Sequence, residues 1–271
     1  MDRDDVMRVR ALYDAEMRRD ARPDSAEARV ERVGAVVRQT MPGPLGWNAV
    51  LWSELDEENA DAEIAAQIAH FGQSGQFPGA GQPAGFEWKL YDYDRPADLG
   101  ERLRAAGFVP EPPETLLVAR TADLAALPVE PPEGITLRVV RDEAGVDLMM
   151  EAHARAFGTE RPHIREQILS LLRERPDTIE AVLAMAGDTP VSAARMEMPA
   201  GSSFAGLWGG GTAPEWRGRG IYRLLVAHRA RVAAQRGIPY LQVDASADSR
   251  PILERLGFQV LGVTVPYVWE G

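Results

Sequence analysis

The stretch "PEWRGRGIYRLLVAHRA", residues 214–230, limits the folds open to this chain more than any other. It gathers Arg217, Arg219, Arg223, His228 and Arg229 around Gly218 and Gly220, in a turn that follows an apolar strand pattern and opens an amphipathic helix running from about 219 to Gly237. A turn that passes strand into helix belongs to an α/β unit. It is also suited to an anion. The first amides of a helix have no carbonyl partners, and the helix dipole puts partial positive charge there. Two glycines let the backbone turn sharply and approach a ligand with no Cβ in the way. Arg217 and Arg219 add charge, so the turn can cradle a pyrophosphate. The alternative is a solvated surface turn.

The surrounding pattern supports the α/β reading. "ITLRVV" (135–140) is β-branched and reads as a strand, "EAGVDLMMEAHARAFG" as a helix ended by Gly158, and a second helix covers about 162–174 from Pro162. Strands follow near 179–186, 190–198 and 203–212, then the arginine-rich helix with Pro239 as its stop, then the strand "YLQVDA", the short helix "SRPILERLG" and the last strand "FQVLGVTVPYVW". "LPVEPPEG" (127–134) carries three prolines and reads as a linker, which divides the chain into 1–126 and 135–271. The first half is helical at its start, then has a strand at "WNAVLWSEL", an acidic helix start with a helix across 59–71, a loose Gly- and Pro-rich segment over 72–85, and a strand–helix–strand at 86–120. "ERLRAAGF" (101–108) and "ERLGF" (254–258) are both helix ends stopped by Gly-Phe before a strand, a short internal repeat.

Charge narrows the partners. The net charge is −11 over 271 residues; residues 1–128 hold 14 Lys+Arg against 23 Asp+Glu, and 129–271 hold 16 against 18. An acidic chain argues against binding nucleic acid through its phosphates. There is no cysteine, which excludes disulfides, thiolate metal sites and a cysteine nucleophile, and the four histidines, His70, His153, His163 and His228, have no metal-ligand spacing. No metal is expected. With no apolar run of membrane-spanning length and no signal-peptide core in "MDRDDVMRVR", the expectation is a soluble cytoplasmic protein without a membrane partner.

The turn Arg217-Gly218-Arg219-Gly220-Ile221-Tyr222, its lead "TAPEWRGRG", and the following strand and "SRPILERLGF" together resemble the GCN5-related N-acetyltransferase superfamily, whose pyrophosphate signature is Gln/Arg-x-x-Gly-x-Gly/Ala at the start of its third helix. Tyr222 departs from it, standing where Gly or Ala is usual. The resemblance implies an acetyl-CoA-binding domain at 135–271 with a mixed, largely antiparallel sheet flanked by helices. It covers 1–126 only through the "ERLRAAGF" unit, which implies a smaller, degenerate α/β copy of the same domain without a phosphate loop. Acetyl-CoA is then the donor. In the family the fourth and fifth strands splay around pantetheine; carried over, that edge is "GGGTAP", with Gly211 and Thr212 against the cofactor and the Thr212 amide facing the acetyl carbonyl.

Transfer to an amine needs the amine neutral and the thiolate stabilised. An alkylamine with a pKa of about 10.4 costs roughly 4–5 kcal/mol to deprotonate at pH 7, which a general base or a desolvated pocket offsets. The tyrosine that many relatives place four residues before the Gly of Gly-Phe is replaced by Leu253. Another branch has Asn-x-x-Ser there, and Ser246-Ala247-Asp248-Ser249 resembles it, so the resemblance points to Ser249 for the sulfur and Ser246 for the cofactor. A serine before a helix also serves as an N-cap. Glu197 in "ARMEMPA" and Asp244 in "LQVDAS" are carboxylates on expected internal strands, where a charge needs a partner or a role. Arg195 is an ion partner for Glu197 two residues along the same face. His153 and His163 flank the first helix–loop–helix, and Tyr267 is a further hydroxyl or a core residue. Arg223, Arg229, Arg231 and Arg236 read as the exposed face and end of the arginine-rich helix, and Trp47 and Trp52 as core.

Acidity favours a small cationic amine or peptide amine as acceptor, by attraction. A non-catalytic acyl-CoA-binding module, or a transferase acting on a protein partner, are the alternatives, and a homodimer is a separate expectation.

Overall fold

The computed structural model describes residues 1–23, 25, 27–41, 47–73, 85–158 and 162–270. Most of the loose segment 72–85 and part of the loop between His153 and His163 lie outside them. In chain order the elements are α1 (Arg3–Tyr13), β1 (Arg29–Val33), β2 (Val36–Thr40), β3 (Ala49–Ser53), α2 (Ala60–Gln73), β4 (Phe86–Tyr91), α3 (Leu99–Ala105), β5 (Val109–Pro110), β6 (Glu114–Arg120) and α4 (Thr121–Ala125). They continue with β7 (Ile135–Val140), α5 (Glu143–Phe157), α6 (Pro162–Glu174), β8 (Ile179–Ala186), β9 (Thr189–Glu197), β10 (Phe204–Thr212), α7 (Ile221–Gln235), β11 (Tyr240–Ala245), α8 (Arg250–Arg255) and β12 (Gln259–Trp269). The chain forms two compact units: Met1–Leu117 with Asp244–Arg250 and Val260–Gly271, and Val118–Val243 with Pro251–Gln259.

In the first unit β1, β2, β3, β4 and β12 are neighbours in that order, with β5 on β12. The chain's last strand therefore lies antiparallel to β4, Thr264 opposite Tyr91 and Trp269 opposite Phe86. Alternation along β4 explains its two faces. Phe86 and Trp88 are buried with Ile64 and Phe71 of α2, Leu99 and Leu103 of α3, Phe108 and Tyr267. Tyr267 is thus a core residue, 3% exposed. Glu87, Lys89 and Tyr91 take the opposite face. There α1 runs on into a π turn, Asp14–Arg19, whose Arg18 is only 2% exposed. Its Nη2 donates to both Asp94 oxygens at 2.9 and 2.7 Å, its Nε to Leu51 O at 3.1 Å, and its guanidinium lies 3.8 Å from the Tyr91 ring centroid.

In the second unit β7, β8, β9 and β10 form an antiparallel run, and β11 joins β10 in parallel. Odd-numbered β8 residues from Ile179 to Leu183 pack with Val146, Met149 and Ala152 of α5 and Ile168 of α6. Val182 and Ala184 pack with Ile221, Leu224 and Leu225 of α7. The sheet is therefore covered on both faces, which is why β8 reads as a continuous apolar run. α5 starts where Asp142 accepts from the Gly145 amide at 2.8 Å and ends at Gly158, φ 72°.

The short repeat has one geometry in both places. After α3, Gly107 takes φ 94° and the Phe108 amide donates to Leu103 O at 3.0 Å; after α8, Gly257 takes φ 105° and the Phe258 amide donates to Leu253 O at 3.1 Å. Each is a left-handed helix stop that turns a phenylalanine into the core, Phe108 at 3% and Phe258 at 1% exposure.

One buried acid ties strand to helix. Glu180 on β8, 2% exposed, accepts from Arg141 Nη2 at 2.8 Å and His228 Nε2 at 3.0 Å. Burial alone pushes its carboxyl up, but the hydrogen bonds from His228 and Arg141 outweigh burial and hold it below the ordinary 4.5. A depressed folded value means that its stabilisation is complete above 4.5 and is lost as pH falls through the folded value. Glu180→Gln removes this dependence. Between about pH 5 and pH 3 its melting temperature falls less steeply than that of the wild type, as thermal circular dichroism reads.

Candidate active site

Strands β10 and β11 pair only from Phe204 opposite Tyr240 to Gly206 opposite Gln242, while β10 continues to Thr212 with β9 on its other side. No pairing between the two strands follows Gly206 and Gln242. β10 gains one residue on β9 between Trp208 (opposite Arg195) and Gly211 (opposite Ala193). The bulge holds Gly209 at φ 59°, a left-handed value that glycine adopts without strain. Side chains close around all three glycines. A Cβ at Gly209 would lie 2.8 Å from His153 Cε1 and 3.3 Å from Arg195 Nη1, at Gly210 3.0 Å from the Tyr222 ring, and at Gly211 2.6 Å from the Phe157 ring. Thr212 is 9% exposed and shares a 2.8 Å hydrogen bond with Ser192, whose hydroxyl also lies 2.7 Å from Gly211 O.

The glycine turn follows. Gly218 (φ 73°) and Gly220 (φ 81°) are both left-handed, and a Cβ on either would meet nothing within 4 Å. Backbone conformation, then, is what requires glycine here, and the approach to the amides is open. The Leu224 amide bonds to Gly220 O at 3.0 Å, so the amides ahead of it in the turn precede the helix's own ladder. Arg217 holds the turn in place: its Nε donates to Thr212 O at 3.1 Å and its Nη2 to Ala156 O at 3.0 Å, linking the end of β10 to α5. Arg219 lies over the Trp216 ring at 4.6 Å and stays exposed. The Ile221 side chain enters the α7 core at 1% exposure, so only its backbone remains available to a ligand. Tyr222 has its room because position 210 is glycine; burial raises its hydroxyl above 10.0, with Arg229 opposing.

The carboxylates named from sequence are both in ion pairs. Glu197 Oε1 accepts from Arg195 Nε at 2.8 Å, beside the bulge. Asp244, with a side chain 2% exposed, pairs through Oδ2 with the Lys89 ammonium, both in the first unit. Ser249 donates to Ser246 O at 3.3 Å, and the two hydroxyls are 3.2 Å apart just ahead of α8. By contact these serines belong to the first unit, and residues 209–222 to the second. His153 is 6% exposed under the bulge, its ring 5.6 Å from that of Phe157, whereas His163 is exposed.

Two sequence expectations need correction. Arg229 is not on the exposed face of α7: it is 1% exposed and donates to Leu225 O at 3.0 Å and Arg195 O at 2.9 Å. Its spacing of four from Leu225 and eight from Ile221 is the signal that places it inward. Trp47 is 39% exposed and donates to Glu87 at 2.9 Å rather than joining the core. Lys89 was not singled out from sequence, although its place between Glu87 and Tyr91 on one strand face marks it as a charge needing a partner.

Comparison with known proteins agrees with this geometry. Residues 146–258 match the family described as Acetyltransferase (GNAT) family. A search of curated proteins by sequence finds no match. Among solved structures, a GCN5-related N-acetyltransferase from Kribbella flavida aligns with TM-score 0.69 and 20% identity over 98% of this chain and 96% of its own. A tandem GNAT protein from the clavulanic acid biosynthesis pathway aligns with TM-score 0.61 and 13% identity over 92% and 85%. A GCN5-related N-acetyltransferase from Sphaerobacter thermophilus gives TM-score 0.61 and 17% identity over 87% and 76%. The left-handed glycine turn, the end of the β10–β11 pairing and the bulge all fall inside the matched segment, and residues 146–258 are an acetyltransferase domain of the GNAT family, carried in a chain whose full length follows the fold of these proteins.

Proposed function

We propose that the protein transfers the acetyl group of acetyl-CoA to a primary amine by direct attack in a ternary complex. The observation that carries this reading is the turn Arg217–Gly220, with two left-handed glycines, open Cβ directions and the start of a 15-residue helix behind them. A pyrophosphate on the amides of residues 218–222 would sit at the positive end of that helix. The stretch of β10 beyond Gly206, which does not pair with β11, supports a pantetheine arm lying along it, with Gly211 and Thr212 beside the thioester. In the transfer the amine nitrogen bonds to the acetyl carbon, the carbon–sulfur bond breaks, the amine gives up a proton and the thiolate takes one. Glu197, paired with Arg195 near the bulge, is the carboxylate we assign to the amine's proton, with Asp244 as the other candidate. Ser249 is assigned to the sulfur and Ser246 to the cofactor. The acceptor is a small cationic amine or a peptide amine, drawn by the chain's negative charge.

Free-thiol release from acetyl-CoA with a panel of alkylamines, aminoglycosides, polyamines and peptides tests this. Turnover with at least one amine is expected, and Glu197→Gln and Ser249→Ala lower kcat by at least about tenfold with little change in acetyl-CoA affinity, since one acts on the amine's proton and the other on the leaving thiolate rather than on the bound donor. Acetyl-CoA binding with no thiol release across the panel would overturn the transfer and leave an acyl-CoA-binding module.

A further inference from the structure

The first unit carries a charged cluster of which the acetyl-transfer chemistry above uses at most Asp244, its second candidate for the amine's proton. Glu87, Lys89 and Tyr91 share one face of β4, opposite the Phe86–Trp88 core face. Glu114 of β6 and Asp244 act on the same groups electrostatically, as does Tyr13 of α1, whose hydroxyl is 3.2 Å from that of Tyr91. Exposure falls inward: Glu111 is exposed, Glu87 and Glu114 are half-buried, the Lys89 side chain is 15% exposed and that of Asp244 2%. One ammonium thus serves several carboxylates. The innermost carboxylate is also incompletely bonded: Asp244 Oδ1 is buried and has no hydrogen-bond donor among the described residues. A carboxylate oxygen in that position calls for a donor.

We propose that this face of the first unit binds a di- or polyamine, with one ammonium donating to Asp244 Oδ1 and another held by Glu114 and Glu87. The ligand class follows from charge and spacing. No group of three acidic or histidine side chains among the described residues converges as a metal site does. Carboxylates stepping from the exposed Glu111 inward to Asp244 match a flexible chain of spaced cations instead. The Glu114 carboxyl fits this reading: burial first, and then the charge of Asp244, push it up to about 7, against the pull of Lys89, with Glu87 and Glu111 adding to the rise. A second cation beside it favours the ionised form and releases a proton. The proposal agrees with an amine acceptor, but the binding does not depend on acetyl transfer.

Isothermal titration of the full chain with spermidine, without acetyl-CoA, at about pH 7 in two buffers of different ionisation enthalpy tests it. Binding with net proton release is expected. Glu114→Gln, at a half-buried position, lowers the proton release and weakens binding by about tenfold; Glu87→Gln weakens binding and also lessens the proton release, because the Glu87 charge helps to raise the Glu114 carboxyl. No binding at millimolar spermidine, unchanged affinity in both variants, or equal competition by magnesium at matched ionic strength would overturn the proposal. Spermidine binding without acetylation would leave this site standing while the acetyl-transfer reading fails, so the two fail separately.

Discussion

Asp94→Ala lowers the unfolding free energy by about 3–5 kcal/mol, the range for removing one partner of a buried ion pair. The Arg18 and Asp94 side chains are each 3% exposed. With the carboxylate gone, the guanidinium keeps Asp14 at 3.0 Å and Leu51 O at 3.1 Å, but Nη2 loses both its bonds at a buried position. The Tyr91 amide, 3.0 Å from Asp94 Oδ2, loses its acceptor as well. Arg18→Met combined with Asp94→Ala recovers part of the loss, because the uncompensated charge, rather than the missing attraction, is the larger cost. Glu143→Ala provides the contrast: its bond to Arg165 at 2.7 Å is on the surface, with the carboxylate 71% exposed, and its removal costs less than about 1 kcal/mol. Urea unfolding followed by tryptophan fluorescence measures all of these, with Trp52 lying 4.6 Å from the guanidinium. An Asp94→Ala variant within about 1 kcal/mol of wild type would show that this pair does not hold α1 to the sheet.

What could be seen in the sequence was local. Both Gly-Phe helix stops and the 217–220 turn are set by residues within a few positions of one another, and each takes the left-handed glycine geometry its sequence suggests. The strands and helices from 135 onward fall within a few residues of their expected bounds because both sheet faces are covered and the apolar runs are strong. The β1–β2 hairpin was missed for the opposite reason. β1 is exposed along most of its length and rich in charge, so it has no alternation, and only Gly34 (φ 57°) marks the turn. The hardest feature was the partner of Asp244. Lys89 is 155 positions away, and no spacing rule links them; the pair exists because β12 returns to β4 and the end of β11 joins the first unit. The Tyr222 departure from the family signature is likewise answered outside its motif, by a glycine at 210 that leaves space for the ring.

Gly220→Asp weakens acetyl-CoA binding by on the order of a hundredfold, whereas Gly220→Asn stays within a few-fold of wild type. The comparison rests on the geometry of the turn. Gly220 has φ 81°, so any side chain strains the backbone there, and asparagine and aspartate are the residues that bear this conformation best. The two variants therefore share their strain and nearly share their volume. Nothing lies within 4 Å of the added Cβ, so neither should disturb the packing of α7. Only charge separates them, and only a ligand with its own negative charge at the turn can feel the difference. A carboxylate a few ångströms from a pyrophosphate, partly shielded from water, repels it by a few kcal/mol. The gap between the variants narrows as salt rises, since the Debye length falls from about 10 Å at 0.1 M to about 3 Å at 1 M. Arg217→Ala has a different signature. Its guanidinium is bonded to Thr212 O and Ala156 O, so the loss comes through a loosened turn and varies little with salt. Titration of acetyl-CoA into the three variants at low and high salt reads all of this, with circular dichroism to confirm the fold. Equal affinity in Gly220→Asp and Gly220→Asn at low salt would mean that no phosphate lies at this helix start, and the assignment of the donor to the 217–222 turn would fall with it.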